Sequence, residues 1–447
     1  MGAIEGSGEL ARFVWRKSGL KLRWKSWRFE RVMSEWRVLR ATLARATGSR
    51  ELPPAVLFIP PDPLLLTDSR GDQAMILVLL GAVREHFPGA KLCMLTHGPQ
   101  ASQRARDLGI RPIQVEYEGK LAHAFELCRA EQITHSITIG ADVLDGSYDP
   151  VFSAELLALT DLLARSGVRC AVNGFSFSDK PFPGLASIYG EFCKDVVFNL
   201  RDPVSFKRFR AFSSAAARLT ADVAFLLKPA HDIADVPEFG KWIARQRAEG
   251  RTVLGVNIHP LLLDLDQRHR VPEMCAAFSR VLGRLLETHP IALVLLEHDF
   301  RGTSSDYLCI DRIEDGLRGA IPNLVYRFPK PLSAAEVKCA VGALDGVVTG
   351  RMHLSIATLG AGVPVFLIDY KAKMEGLLQH FGIDRELRIV AKNLFDEQLT
   401  FSAINRFAER LPVLRGQVAE RLPAIKRMAL SNLDPVLQSA DWTAGVK

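Results

Sequence analysis

From Leu52 onward, short apolar runs alternate with stretches of helical periodicity, and this alternation narrows the fold more than any other feature of the chain. Ala55 to Ile59, Lys91 to Leu95, Gln132 to Ile139, Val168 to Asn173 and Val196 to Leu200 read as strands, with helices over Asp72 to His86 and Ser153 to Ser166. After the charged stretch Glu238 to Arg251 a second series begins. Its strands are Val253 to Ile258, Ala292 to Leu296, Leu324 to Tyr326, Gly346 to Val348 and Val365 to Ile368. Glu273 to Glu287, Ala334 to Ala340 and His353 to Gly360 are the helices between them. Strand–helix alternation of this kind implies mostly parallel sheets covered on both faces. The expectation is an α/β protein of two Rossmann-like, doubly wound domains, 51–235 and 236–395, facing a cleft. Helices over 396–447, including Phe401 to Met428, pack back across the domains. Ligands of such sheets bind beyond the carboxyl ends of the strands.

The first fifty residues are of another kind. They hold twelve Lys+Arg and four Glu, a balance of +8, so the remaining 397 residues of a chain with net charge +7 sum to −1. A near-neutral body argues against a nucleic-acid partner. Trp15, Trp24, Trp27 and Trp36 lie here, and Phe29, Val32, Trp36, Leu39 and Leu43 recur at helical spacing, with Arg28, Arg31, Arg37 and Arg40 largely outside that stripe. Such an amphipathic helix over 10–46 suits an anionic membrane surface, and it equally suits packing on the protein's own body.

No run reaches the roughly 18–20 apolar residues of a membrane span, and the N-terminus has no signal-peptide pattern. Cys93, Cys128, Cys170, Cys193, Cys275, Cys309 and Cys339 are scattered without a CxxC or His/Cys cluster, which argues against zinc and fits a reducing compartment. A cytoplasmic protein, peripheral at most to the inner membrane face and without a metal or cofactor, is the expectation.

Val347 to Gly376 carries the chemistry. A strand ends at Thr349, Gly350 turns, Arg351 and His353 open a helix, and Lys371 and Lys373 follow the next strand. A helix N-terminus attracts anions. Arg351 adds a planar fork of donors, and His353 exchanges protons near neutrality, although a capping or core histidine is the blander reading of the triplet alone.

In order and spacing, these segments resemble the polysaccharide pyruvyl transferase family over roughly residues 55 to 390. Arg-x-His, Gly-Val-Pro and Tyr-x-x-Lys match Val347 to Lys373, and Gly-Asp before an apolar helix matches Gly71-Asp72. GADVLDG (Gly140 to Gly146), GFSF (Gly174 to Phe177), LRDPVS (Leu200 to Ser205) and ADVAFLL (Ala221 to Leu227) are similar to its remaining segments. Two departures stand out: Ser69-Arg70 replaces the usual Asn before Gly-Asp, and NIHP (Asn257 to Pro260) stands where the family has Ser-x-Arg.

The resemblance implies a GT-B-like arrangement and transfer of a pyruvyl group from phosphoenolpyruvate to a sugar as a ketal. It implies His353 as acid, with Arg351 and Lys373 holding the donor anion, Lys371 facing the same cleft, and Arg201 completing the clamp, unless Arg201 pairs with Asp202. Asp72 positions an acceptor hydroxyl, acts as base, or serves the helix dipole. Gly71, Ser176 and His298 complete the substrate set; His298 and Asp299 otherwise lie in a solvent loop. The acceptor would be a saccharide or lipid-linked oligosaccharide, a precursor of an exported or surface polysaccharide. Two rivals are a glycosyltransferase using a nucleotide sugar, with Glu375 on the ribose, and a non-catalytic relative.

Overall fold

The computed structural model describes residues 19–43, 53–116, 121–231, 233, 237–317, 323–370, 374–383 and 385–437. Its first sheet contains β1 (Ala55–Ile59), β2 (Lys91–His97), β3 (Arg111–Val115), β4 (His135–Ala141), β5 (Arg169–Phe175), β6 (Phe198–Leu200) and β7 (Ala217–Leu219). They lie side by side in the order β3-β2-β1-β4-β5-β6-β7, every pair parallel. The second sheet contains β8 (Thr252–Asn257), β9 (Ile291–Leu295), β10 (Val325–Arg327), β11 (Gly346–Thr349), β12 (Val365–Asp369) and β13 (Arg388–Val390). Its order, β10-β9-β8-β11-β12-β13, repeats the winding of the first, again wholly parallel. Both domains are therefore doubly wound: the chain builds outward in one direction, returns, and builds outward in the other.

The central strands are buried along their whole length, as sheets covered on both faces require: β1, β4, β9, β11 and β12 have no exposed residue. β3, β7 and β13 were not among the expected strands. Each lies at a sheet edge and is half-exposed, so none carries a continuous apolar run.

The N-terminal helix, Gly19–Thr42, lies on the first domain. Phe29, Val32, Met33 and Trp36 are buried, and Trp36 Nε1 donates to Asp161 Oδ2 at 2.8 Å. Lys25 pairs with Asp149 and Arg40 with Glu191. The apolar stripe is thus spent on the protein's own body, leaving Trp27 and Val38 outward at 58% and 61% exposure. Residues 10–18, with Trp15, lie outside the described residues.

The expected helix Phe401 to Met428 is two helices, Glu397–Glu409 and Leu411–Leu430. Pro412 has no N–H for the Ala408 carbonyl, which breaks the ladder there. Beyond the second helix the chain returns to the first domain. Asn432 Oδ1 accepts from Gly174 N–H at 2.8 Å, and its Nδ2 donates to the Ala221 carbonyl. The domains also meet directly. Ser69 bridges Asp299, Arg70 N–H donates to the His298 carbonyl, and buried Lys338 donates to the Phe225 carbonyl at 2.9 Å.

Candidate active site

A doubly wound sheet opens a crevice where its winding reverses, here between β1 and β4 and between β8 and β11. Loops beyond these strands line one interdomain cavity of about 910 Å³, counted with its open mouth. The first domain contributes Asp62 after β1, Asp72 from the helix Arg70–His86, Asp142 and Tyr148 after β4, and Arg201 after β6. From the second come His298, Asp299 and Arg301 after β9, Arg351 and His353 after β11, and Tyr370 after β12.

His353 sits where the domains touch. Its Nε2 lies 3.5 Å from Asp222 Oδ2 and 3.4 Å from Arg201 Nη1. Arg201 is buried; its Nη1 donates to Asp222 at 2.9 Å and its Nε to Ser176 Oγ at 2.8 Å. Asp222 also accepts from Ala224 N–H. Burial would raise the Asp222 carboxyl, but His353 and Arg201 together hold it well below the usual carboxylate range. It is a fixed anion beside the imidazole. On its other side the imidazole covers Gly71, where a Cβ would stand 2.2 Å from Nδ1.

Arg351 is bound by the protein itself. Nε and Nη2 donate to Asp306 Oδ1 at 2.9 and 2.6 Å, Nη2 also to the Ser304 carbonyl, and Nη1 to Asp299 Oδ2 at 3.0 Å. With those donors taken, Arg351 is not the open fork expected for an anion; it braces Asp299. Asp299 in turn grips Arg301 through both oxygens, Nε to Oδ1 at 3.0 Å and Nη2 to Oδ2 at 2.6 Å. Burial opposes its charge, yet the two arginines hold Asp299 down at about 2. Arg301 stays 30% exposed and reaches Asp72 and Asp62 at 3.5 and 3.6 Å. Asp72 is buried, and burial pushes its carboxyl up to about 7 against the pull of Arg301 and His353.

Of the expected site residues, Asp72, Arg201, His298, Arg351 and His353 line this one cavity. His298 and Asp299 are buried, not on a solvent loop. Arg201 pairs with Asp222 and not with Asp202, whose carboxylate instead caps the helix Pro203–Phe212 through Ser205 N–H. Ser176 lies behind Arg201 and orients it, and Gly71 acts by having no side chain. Glu375 does not line the cavity: Arg388 at the end strand β13 lies 3.6 Å from its carboxylate and draws it there. Lys371 and Lys373 lie outside the described residues.

Three residues escaped the sequence reading. Asp222 stood in a quoted segment, ADVAFLL, without a role. Arg301 follows Asp299, its bidentate partner, by two positions, but Asp62 and Asp72, the other carboxylates it reaches, are distant in the chain. Asp306 holds Arg351 across 45 positions, and its side chain also accepts from Asn257 and from His298 N–H, a set only the fold assembles. Among the described residues no group of three or more His, Cys, Asp or Glu could hold a metal ion.

Solved structures resemble this fold at low identity, and that likeness concerns the fold alone. A putative UDP-N-acetylglucosamine 2-epimerase from Listeria monocytogenes superposes with a TM-score of 0.54 at 12% identity, covering 86% of this chain and 96% of that one. A UDP-GlcNAc 2-epimerase from Neisseria meningitidis, bound to UDP-GlcNAc, gives 0.53 at 9%, covering 86% and 99%. A glycosyltransferase from Rickettsia africae gives the same score, identity and coverage. These relations make the arrangement a GT-B one. No curated protein matches the chain by sequence. The family model for polysaccharide pyruvyl transferase matches residues 70–372, from the helix under His353 to the segment after Tyr370, and the chain belongs to that family.

Proposed function

We propose that the protein transfers the pyruvyl group of phosphoenolpyruvate to two hydroxyls of a saccharide, forming a ketal and releasing phosphate. The observation that carries this reading is the His353 imidazole, clasped by Asp222 and Arg201 at the point where both domains meet the cavity. The donor's methylene carbon takes a proton, one acceptor oxygen bonds to the adjacent carbon, and a second oxygen displaces phosphate there. His353 supplies the proton to carbon. Asp72, buried and raised to about 7, takes a hydroxyl proton, as a base poised near the working pH should.

The cavity walls differ in charge, which supports an orientation. Asp62, Asp72 and Asp142 stand on the first-domain side with Tyr148, a set suited to sugar hydroxyls. Arg301 on the second-domain side, 30% exposed, faces the donor's carboxylate and phosphate, and the buried Arg201 adds positive charge between the domains. The acceptor is a precursor of an exported or surface polysaccharide. The outward face of the N-terminal helix, with Trp27, Arg31, Arg37 and Val38, suits contact with an anionic membrane where a lipid-linked acceptor would lie.

Calorimetric titration with phosphoenolpyruvate tests the reading, beside Arg201→Ala and His353→Ala. Binding by the wild type, weakened in Arg201→Ala and kept in His353→Ala, with acceptor-dependent phosphate release only in the wild type, is expected. A wild type indifferent to phosphoenolpyruvate that binds a uridine nucleotide sugar would overturn it in favour of glycosyl transfer.

A further inference from the structure

His259 follows β8 at its junction with β11, the reversal point of the second sheet. Its side chain is wholly buried; the Gly350 backbone lies near the ring, but neither Nδ1 nor Nε2 meets a hydrogen-bond partner of ordinary geometry. A buried imidazole that gives up its bonds to water without replacement costs stability, and such groups are uncommon enough to call for a reason.

Its surroundings supply one. The Tyr370 ring lies edge-on to it, centroids 5.4 Å apart. Gly350 leaves it room, since a Cβ there would come within 3.0 Å of Nε2. Leu261, Arg351 and Tyr370, its neighbours in chain or in space, are walls of the cavity. His259 thus stands one side chain behind the wall on the second-domain side. Four ionisable groups bear on it. Arg351 and His298 disfavour a charged imidazole, Asp299 favours one, and Tyr370 faces it as a phenol. Burial first, and Arg351 next, hold it neutral. An added anion would act against that balance.

We propose that His259 is a second acid of the site, reached by the donor's phosphate when the Tyr370 side chain turns aside, and that it protonates the phosphate as it leaves. This rests on the transfer reading above. The reaction moves two hydroxyl protons. One is matched by the proton added to the methylene carbon. The other must reach the phosphate, whose bond to carbon breaks as the second ketal bond forms, so that it departs as hydrogen phosphate. His259 takes up a proton when the phosphate binds, passes it to the leaving oxygen, and is restored by the second hydroxyl proton.

The test is calorimetry at pH 7 in two buffers of different ionisation enthalpy, with inorganic phosphate and phosphoenolpyruvate as probes. The wild type should take up more protons on binding than His259→Leu, and the variant should bind about tenfold more weakly or worse. Its melting temperature should be unchanged or higher, because an unpartnered polar group has left the core. His259→Gln keeps a donor and an acceptor but carries no proton, so it should bind nearly as the wild type does with the lower uptake. Equal affinity and proton uptake in His259→Leu would overturn the role of His259 and leave the transfer reading standing, as would undiminished uptake in His259→Gln. Failure of the wild type to bind phosphoenolpyruvate would overturn both.

Discussion

Gly71 lies beneath His353 so closely that a Cβ would stand 2.2 Å from Nδ1, 2.4 Å from Cγ and 2.7 Å from the histidine's own Cβ. The last distance matters most. A flexible tip can move aside, but the root of a side chain moves only with its backbone, here the first turn of the helix Met352–Gly360. The glycine at the start of one domain's helix therefore fixes where the other domain's histidine stands.

Gly71→Ala should displace the imidazole from Asp222 and Arg201 and lower kcat by roughly 10²-fold, the scale of an ångström's misplacement at a reacting group. Helix propensity slightly favours Ala, so the folded state should survive. Circular dichroism near that of the wild type, together with the fall in kcat, is the expected pair of results; full activity would show that His353 is free to stand elsewhere.

Arg201 and Asp222 are each 2% exposed at the side chain, so neither charge has water to fall back on. Asp222→Ala leaves the guanidinium buried and unmatched, and should destabilise the fold by about 3–5 kcal/mol. Asp222→Asn keeps the shape and should cost less stability while lowering activity, because the His353 imidazole loses the anion beside it. Chemical denaturation of both variants beside a rate assay separates the two effects.

The buried Asp72 carboxyl titrates near 7 in the folded protein and near its ordinary value when unfolded. Between about pH 4 and pH 7 the folded state therefore holds the extra proton, so stability falls as pH rises through that window and levels off above it. Asp72→Asn removes this penalty. Its melting temperature should exceed the wild type's at pH 8 and match it near pH 4. Activity should lose the inflection near pH 7 along with most of its rate. A variant that tracks the wild type at both pH values would place the Asp72 carboxyl in water.

Much of this was legible in the chain, and the rest was not for physical reasons. Central strands such as β1 and β12 are buried on both faces, so each shows as an unbroken apolar run that composition alone reveals. β3, read as Arg-Pro-Ile-Gln-Val, is an edge strand that buries only Ile113 and Val115, and no periodicity of use is left in it. The site divides in the same way. His353 is legible because it stands at a helix start beside a strand end, and Asp72 because it follows Gly71 at the start of an apolar helix, both local patterns. The Arg351–Asp306 bond and the Arg301–Asp72 pair are decided by which loops the two sheets bring together, and sequence spacing carries no trace of that. Arg351 shows the cost: an arginine at a helix start reads as an anion site until the carboxylates that occupy it are known.

The N-terminal helix had two readings, and its packing yields a prediction that discriminates between its faces. Trp36 is fully buried and donates to Asp161, while Trp27 on the same helix is 58% exposed with Arg31 stacked over its ring at 5.4 Å. Trp36→Ala should cost about 3–5 kcal/mol of the helix's attachment, the scale for emptying a core aromatic site. Hydrogen exchange would report it as faster exchange over Gly19–Thr42 and the facing helix Pro150–Arg165, with the second domain unchanged. Trp27→Ala should leave exchange alone, since its ring is exposed, and should instead weaken sedimentation with anionic phospholipid vesicles while leaving neutral vesicles unaffected. If Trp27→Ala changes exchange and not vesicle binding, the outward face is a protein contact, and the basic residues around it answer to another partner.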